Sequence, residues 1–219
     1  NWFKVKVTDH WGLNSTGNGM TNSIDEPNPV NVISVDYDLE SMTITWEVSS
    51  DNDFISYELL QSDSEDGTYM SVVVITDQST MSHALTGFDP TQENWFKVKV
   101  TDYWGLTSTG TGMTNEVDSP PTQSELNSIV YENGSFIIAW EQNNDDDFHS
   151  YILIESNTDN MNDYTNIFII NNQPDTSYTI NVNEWEYRYY QLIVQDIWGL
   201  ISLSNIEIGD SHVWFLETF

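Results

Sequence analysis

Two acidic runs hold the side chains best suited to chemistry: Asp51-Asn52-Asp53 and Asp145-Asp146-Asp147. Two further carboxylates, Asp102 and Asp196, open the turns "DYWGL" and "DIWGL". Carboxylates held close together repel unless a cation or a set of donors neutralises them. Hard oxygen ligands of this kind suit Ca²⁺, which takes about six to eight of them. Candidate ligands are therefore Asp51, Asp53, Asp102, Asp145, Asp147 and Asp196. The same residues have a plainer use, since Asp caps turns by accepting hydrogen bonds from nearby backbone N–H groups. The spacing is not that of an EF-hand, with no Gly at the sixth loop position and no closing Glu. Capping and calcium binding both stay open.

A second constellation is Trp-Gly-Leu, at Trp11, Trp104 and Trp198. Gly supplies a tight turn there. The Trp side chains suit a lid on a domain end, a joint with a neighbouring domain, or a platform on which a sugar ring stacks. The chain has no cysteine, which excludes disulfides and thiolate zinc sites. His10, His83, His149 and His212 have no metal-ligand spacing. "GDSH" at 209–212 is similar to the nucleophile block of one class of serine esterases, but that block sits early in an α/β domain. No phosphate-binding glycine loop or nucleophile elbow is present. With no acid, base and nucleophile set in view, the expectation is a chain that is not an enzyme.

The charge balance narrows the partners. There are 35 Asp and Glu against 5 Lys and Arg, a formal charge of −30. Such a surface repels nucleic acid and anionic lipid. It attracts divalent cations and is soluble at high salt, where self-repulsion is screened. No stretch of ~18 apolar residues exists to insert into a membrane. Asn14 and Asn133 lie in N-x-[ST] sequons, which matter only where secreted proteins are glycosylated.

The elements that position these residues repeat. Residues 1–22 align without gaps to 94–115 and differ only at His10/Tyr103, Asn14/Thr107 and Asn18/Thr111. A diverged third copy reads "YYQLIVQDIWGL". "TITWEVSSDNDFISYELLQS" likewise matches "IIAWEQNNDDDFHSYILIES". The period is 93–95 residues by direct count of these offsets. It divides the chain into 1–22, the C-terminal hairpin of a truncated repeat; 23–115 and 116–208, two full repeats; and 209–219, an extra tail or the start of a further module.

Within each repeat the apolar period is two. Phe96, Val98 and Val100 share one face of "WFKVKVT", and Trp95, Lys97, Lys99 and Thr101 the other. Turn clusters recur every ~8–12 residues, as in immunoglobulin-like sandwiches. The residues also resemble a particular family. "TITWE", "SYELLQS" and "ALTGFDPTQENWFKVKVTDYWGLTS" are similar to the fibronectin type III domain, with Trp46 and Trp140 at its strand B tryptophan. Leu85, Pro90 and Phe96, and in the next copy Ile180 and Tyr190, match the residues that lead into its strand F. Phe96 departs from the usual Tyr, and the later copy lacks the Pro.

The resemblance implies an all-β chain of tandem seven-stranded sandwiches, preceded by the F–G hairpin of a further copy. It also places the B–C and F–G loops at one pole, so the Asp residues of each repeat would converge. The expected function is a non-catalytic structural or adhesive segment of a long, bacterial-type extracellular or cell-surface repeat protein or filament, acting as a spacer or assembly unit. Further copies of the repeat would be its partners, with strand addition through residues 1–22, and a surface or glycan ligand is the other partner class. The alternative is a carbohydrate-binding module of a secreted enzyme.

Overall fold

The computed structural model describes residues 2–21 and 25–212. Every regular element among them is a β-strand. Four short strands come first: β1 (Trp2–Phe3), β2 (Lys6–Thr8), β3 (Asn14–Thr16) and β4 (Met20–Thr21). β1 pairs with β4 and β2 with β3, both antiparallel, so residues 2–21 make one interrupted hairpin. The chain divides into two compact units, Asn1–Phe88 with Glu93–Glu116, and Asp89–Gln92 with Val117–Phe219.

The first unit continues with β5 (Val32–Tyr37), β6 (Met42–Trp46), β7 (Phe54–Ser62), β8 (Met70–Ile75), β9 (Ser82–Leu85), β10 (Trp95–Asp102), β11 (Thr107–Thr109) and β12 (Met113–Thr114). One sheet has the order β5-β6-β9; the other runs β8-β7-β10-β11, with β12 also on β10. The second unit holds β13 (Val130–Glu132), β14 (Ser135–Ala139), β15 (Phe148–Ser156), β16 (Thr165–Ile170), β17 (Ser177–Asn181), β18 (Tyr187–Asp196) and β19 (Ile201–Asp210). Its sheets are β13-β14-β17 and β16-β15-β18-β19. Each unit is therefore a β-sandwich with strands A, B and E in one sheet and C′, C, F and G in the other. That is the arrangement the resemblance implies.

Alternation builds both cores. In β10 every second residue is buried, placing Phe96, Val98 and Val100 inside with Met42, Ile44, Trp46, Tyr57 and Leu59. The second core repeats the pattern with Phe136, Ile138, Trp140, Tyr151, Leu153, Tyr190, Leu192 and Val194. Residues from both sheets thus bury their apolar faces against each other, which is what holds a sandwich closed. Trp46 ends strand B of the first unit, and Trp140 directly follows strand B of the second, bridged to Leu126. They pack edge-on against Tyr57 and Tyr151 at 5.9 and 5.5 Å between ring centres.

The outer face of the larger sheet differs between the units. In the first, Lys99 of β10 faces Glu58 of β7 and forms an ion pair with it. In the second, the facing residues are Ile193 and Ile152, and Met161 from the following loop covers that apolar patch. The expected boundary at residue 208 falls inside β19, which runs to Asp210. A side chain at Gly209 would strike the Phe136 ring at 2.8 Å, so the strand passes close over the core there. Ser211 is buried as well. Its hydroxyl accepts from the Glu186 N–H and donates to the Asn183 carbonyl, both at 2.8 Å. Residues 209–212 are thus part of this sandwich, and the Ser211 hydroxyl is spent on holding its edge.

Candidate metal centre

The turn after strand F is built the same way three times. Asp9, Asp102 and Asp196 each use Oδ1 to accept two backbone N–H groups, two and four residues on. The acceptor distances are 2.8–2.9 Å. The turn closes through Gly12, Gly105 and Gly199, whose φ values of +80°, +79° and +92° fall where a side chain would be strained. Capping, the plainer reading of these carboxylates, is therefore real, but it uses one oxygen only. In the two sandwiches the second oxygen, Oδ2 of Asp102 and of Asp196, is buried without a hydrogen-bond partner.

The B–C loop is anchored beside this turn. The carbonyl of Asp53 accepts from Tyr103 N–H at 2.7 Å, and that of Asp147 accepts from Ile197 N–H at 2.9 Å. Asp51 and Asp145 turn the other way. Asp51 accepts from the backbone and side-chain amides of Asn28, both at 2.9 Å. Asp145 accepts from Thr122 N–H at 2.6 Å, from the Thr122 hydroxyl at 2.9 Å and from the Asn143 amide at 2.9 Å. Burial opposes its charge, yet these donors win and hold the Asp145 carboxyl below its ordinary range. Both residues therefore pin the strand that enters the domain.

In the second unit three carboxylates do converge. One oxygen from each of Asp118, Asp147 and Asp196 lies within 4.8 Å of the others. Two of these were expected from the sequence; Asp118, from the segment ahead of strand A, was not. Asp145 contributes no oxygen to this trio. Burial, and then the charge of Asp118, push the Asp147 carboxyl above its ordinary range, with Asp196 and Asp145 adding to the effect. An open cleft lined by Ser119, Pro120, Pro121, Thr122 and Asn144 to Asp147 leads to it. In the first unit the corresponding residues are Asp25, Asp53 and Asp102, and no such gathering occurs there among the described residues.

Two residues of the core were missed in the sequence. The hydroxyls of Tyr57 and Tyr151 accept from Ser49 and Asn143 N–H at 2.7 Å and donate to the Gln78 and Gln173 carbonyls at 2.9 and 3.2 Å. Each locks the B–C loop to the loop before strand E. Their signal was the recurrence of "SY" in both copies. Tyr190 hydrogen-bonds Glu155 at 2.8 Å, and burial together with that carboxylate keeps its phenol protonated. The Trp of the Trp-Gly-Leu turn varies in setting: Trp11 and Trp104 are exposed, while Trp198 is half-buried.

No family model matches this chain, and no curated protein matches it. Among solved structures it is similar to the crystal structure of the chicken CNTN1 FN1-FN3 domains, at 13% identity and a TM-score of 0.40, over 97% of this chain and 78% of that one. It is also similar to the solution structure of the sixth fibronectin type III domain of human fibronectin type III domain containing protein 3, at 15% identity and a TM-score of 0.38, over 47% of this chain and 95% of that one.

Proposed function

We propose that this chain is a non-catalytic structural segment of a fibronectin type III-like repeat protein, working outside the cell or on its surface. Residues 2–21 match the last two strands of a repeat, and their apolar face calls for cover. One observation carries the reading. Phe3, Val5 and Val7 are 65%, 71% and 64% exposed, whereas Phe96, Val98 and Val100, at the same positions of a nearly identical hairpin, are fully buried. The buried hairpin gains its cover from strand C, β7, with Val98 opposite Leu59 and Val100 opposite Tyr57. A lone two-stranded hairpin is marginal in water, and a bare apolar sheet face seeks a partner. The cover with the right shape is the A-to-E half of a repeat, and strand addition from a second copy is one way to supply it. The charge of −30 favours solubility and disfavours contact with nucleic acid or anionic membrane.

Sedimentation velocity over a range of concentrations tests this. The wild-type chain is expected to associate, and a Val5→Lys, Val7→Lys variant to stay monomeric. A wild type that is monomeric throughout contradicts assembly through the hairpin. The carbohydrate-binding alternative rests on exposed aromatics such as Trp11, Trp104 and Tyr103.

A further inference from the structure

We propose that the second sandwich binds one hard divalent cation, calcium by preference, through Asp118, Asp147 and Asp196. Three features of the site point to an ion rather than to a merely acidic surface. The carboxylates come from three separate segments: the stretch ahead of strand A, the B–C loop and the F–G turn. Their oxygens lie within 4.8 Å of one another. Opposite ligands on one calcium ion stand about 4.6–5.2 Å apart, against about 4.0–4.2 Å for magnesium. A separation of at most 4.8 Å falls within the span of a calcium coordination sphere, so all three can share one ion with little movement.

The third feature is Asp196 itself. It is 1% exposed. Its Oδ1 is filled by two backbone amides, from Trp198 and Leu200. Its Oδ2 has no hydrogen-bond partner. A buried carboxylate oxygen left without a donor costs on the order of a few kcal/mol. The cost is removed if that oxygen ligates a cation. The turn is capped whether or not an ion is present, so the ligand oxygen is held in place before binding. The remaining coordination positions fall to water and loop carbonyls, with entry through the open cleft beside Asp147.

Bound there, the ion ties the segment carrying Asp118 and the adjacent Pro120-Pro121 to the pole of the sandwich. It replaces mutual repulsion among three carboxylates with shared coordination. The first sandwich carries the same residue types at the same repeat positions, yet Asp53 is exposed where Asp147 is half-buried. The inference is therefore specific to the second unit.

The test uses the full chain, stripped of metal, titrated with CaCl₂ at constant ionic strength while binding heat and thermal unfolding are followed. Wild type is expected to bind calcium and to raise its unfolding midpoint. Asp147→Asn is expected to lose affinity by ~10-fold or more, because affinity follows the number of charged ligands. Without metal this variant should unfold no earlier than wild type, since a repelling charge has been removed. Asp53→Asn removes an equal charge from the first unit and should bind as wild type does. Equal losses in both variants would mean general screening of an acidic surface and would overturn the site. So would a wild type that binds no calcium, or an Asp147→Asn variant that binds it unchanged.

Discussion

Residues 2–21 and 95–114 are the same hairpin in two environments. In the second, a sheet neighbour in register buries every other residue of β10, and the opposite sheet closes over them. In the first, the strands pair with each other and the apolar face stands open. Alternation is enough to make the hairpin and to choose its apolar face. Stability comes from what covers that face, because burial rather than pairing supplies most of the driving force. The G strand makes the same point. Thr111 is tied to Asn31, whose Oδ1 accepts from its N–H at 2.9 Å and its hydroxyl at 3.0 Å, and the Thr111 carbonyl accepts from Val32 N–H. Those ties come from strand A and the residue before it.

The largest contrast should follow a charge placed on the two faces. Val98→Asp puts an unpaired carboxylate in a closed core and is expected to cost ~4 kcal/mol or more, unfolding the first sandwich. Val5→Asp should leave the thermal midpoint of both sandwiches unchanged. Circular dichroism melts of the two variants check this, and equal effects would break the contrast.

Much of this was readable in the residues. The period near 94 and the two-residue alternation carry the fold, because each is written locally in side-chain size and polarity. The meeting of Asp147 with Asp196 was legible only through the resemblance that set two loops at one pole. Asp118 was not found, since no spacing within the chain announces that a segment ahead of strand A bends into that pole. Its recurrence as Asp25 in "SIDEP" and Asp118 in "EVDSP" was the available hint. Asp145 joined the ligand set through the acidic run it shares with Asp147, and nothing local shows that Thr122, 23 residues earlier, takes up its carboxylate. Hydrogen bonds across that distance follow from the fold, not from local pattern.

A smaller contrast lies at the glycines of strand G. A Cβ on Gly110 would meet the Val30 carbonyl oxygen at 1.9 Å, while one on Gly17 would meet nothing nearer than the Val5 carbonyl at 3.7 Å. Gly110→Ala is expected to cost roughly 2 kcal/mol through displaced backbone, and Gly17→Ala close to nothing. Denaturant unfolding followed by Trp fluorescence separates them.

The smallest contrast is electrostatic. The hydrogen bond from Lys99, then that from Ser71, holds the Glu58 carboxyl below its ordinary value. A carboxylate with a depressed folded value adds stability above its unfolded value and loses it as pH falls through the folded one. Wild type should therefore lose a small increment, under ~1 kcal/mol, on acidification below the ordinary glutamate range. Lys99→Met should flatten that limb, while Lys6→Met, at the same position of the exposed hairpin, should reproduce the wild-type curve. Stability curves from pH 7 to about pH 3 read out the difference.

Hydrogen exchange at the amides of Val5, Val7, Val98 and Val100 reads the central claim most directly, in dilute and in concentrated solution. The account predicts slow exchange at Val98 and Val100 throughout, and at Val5 and Val7 fast exchange when dilute that slows as the chains associate. Equal protection of all four amides in dilute solution, or unprotected Val5 and Val7 at every concentration, would contradict it.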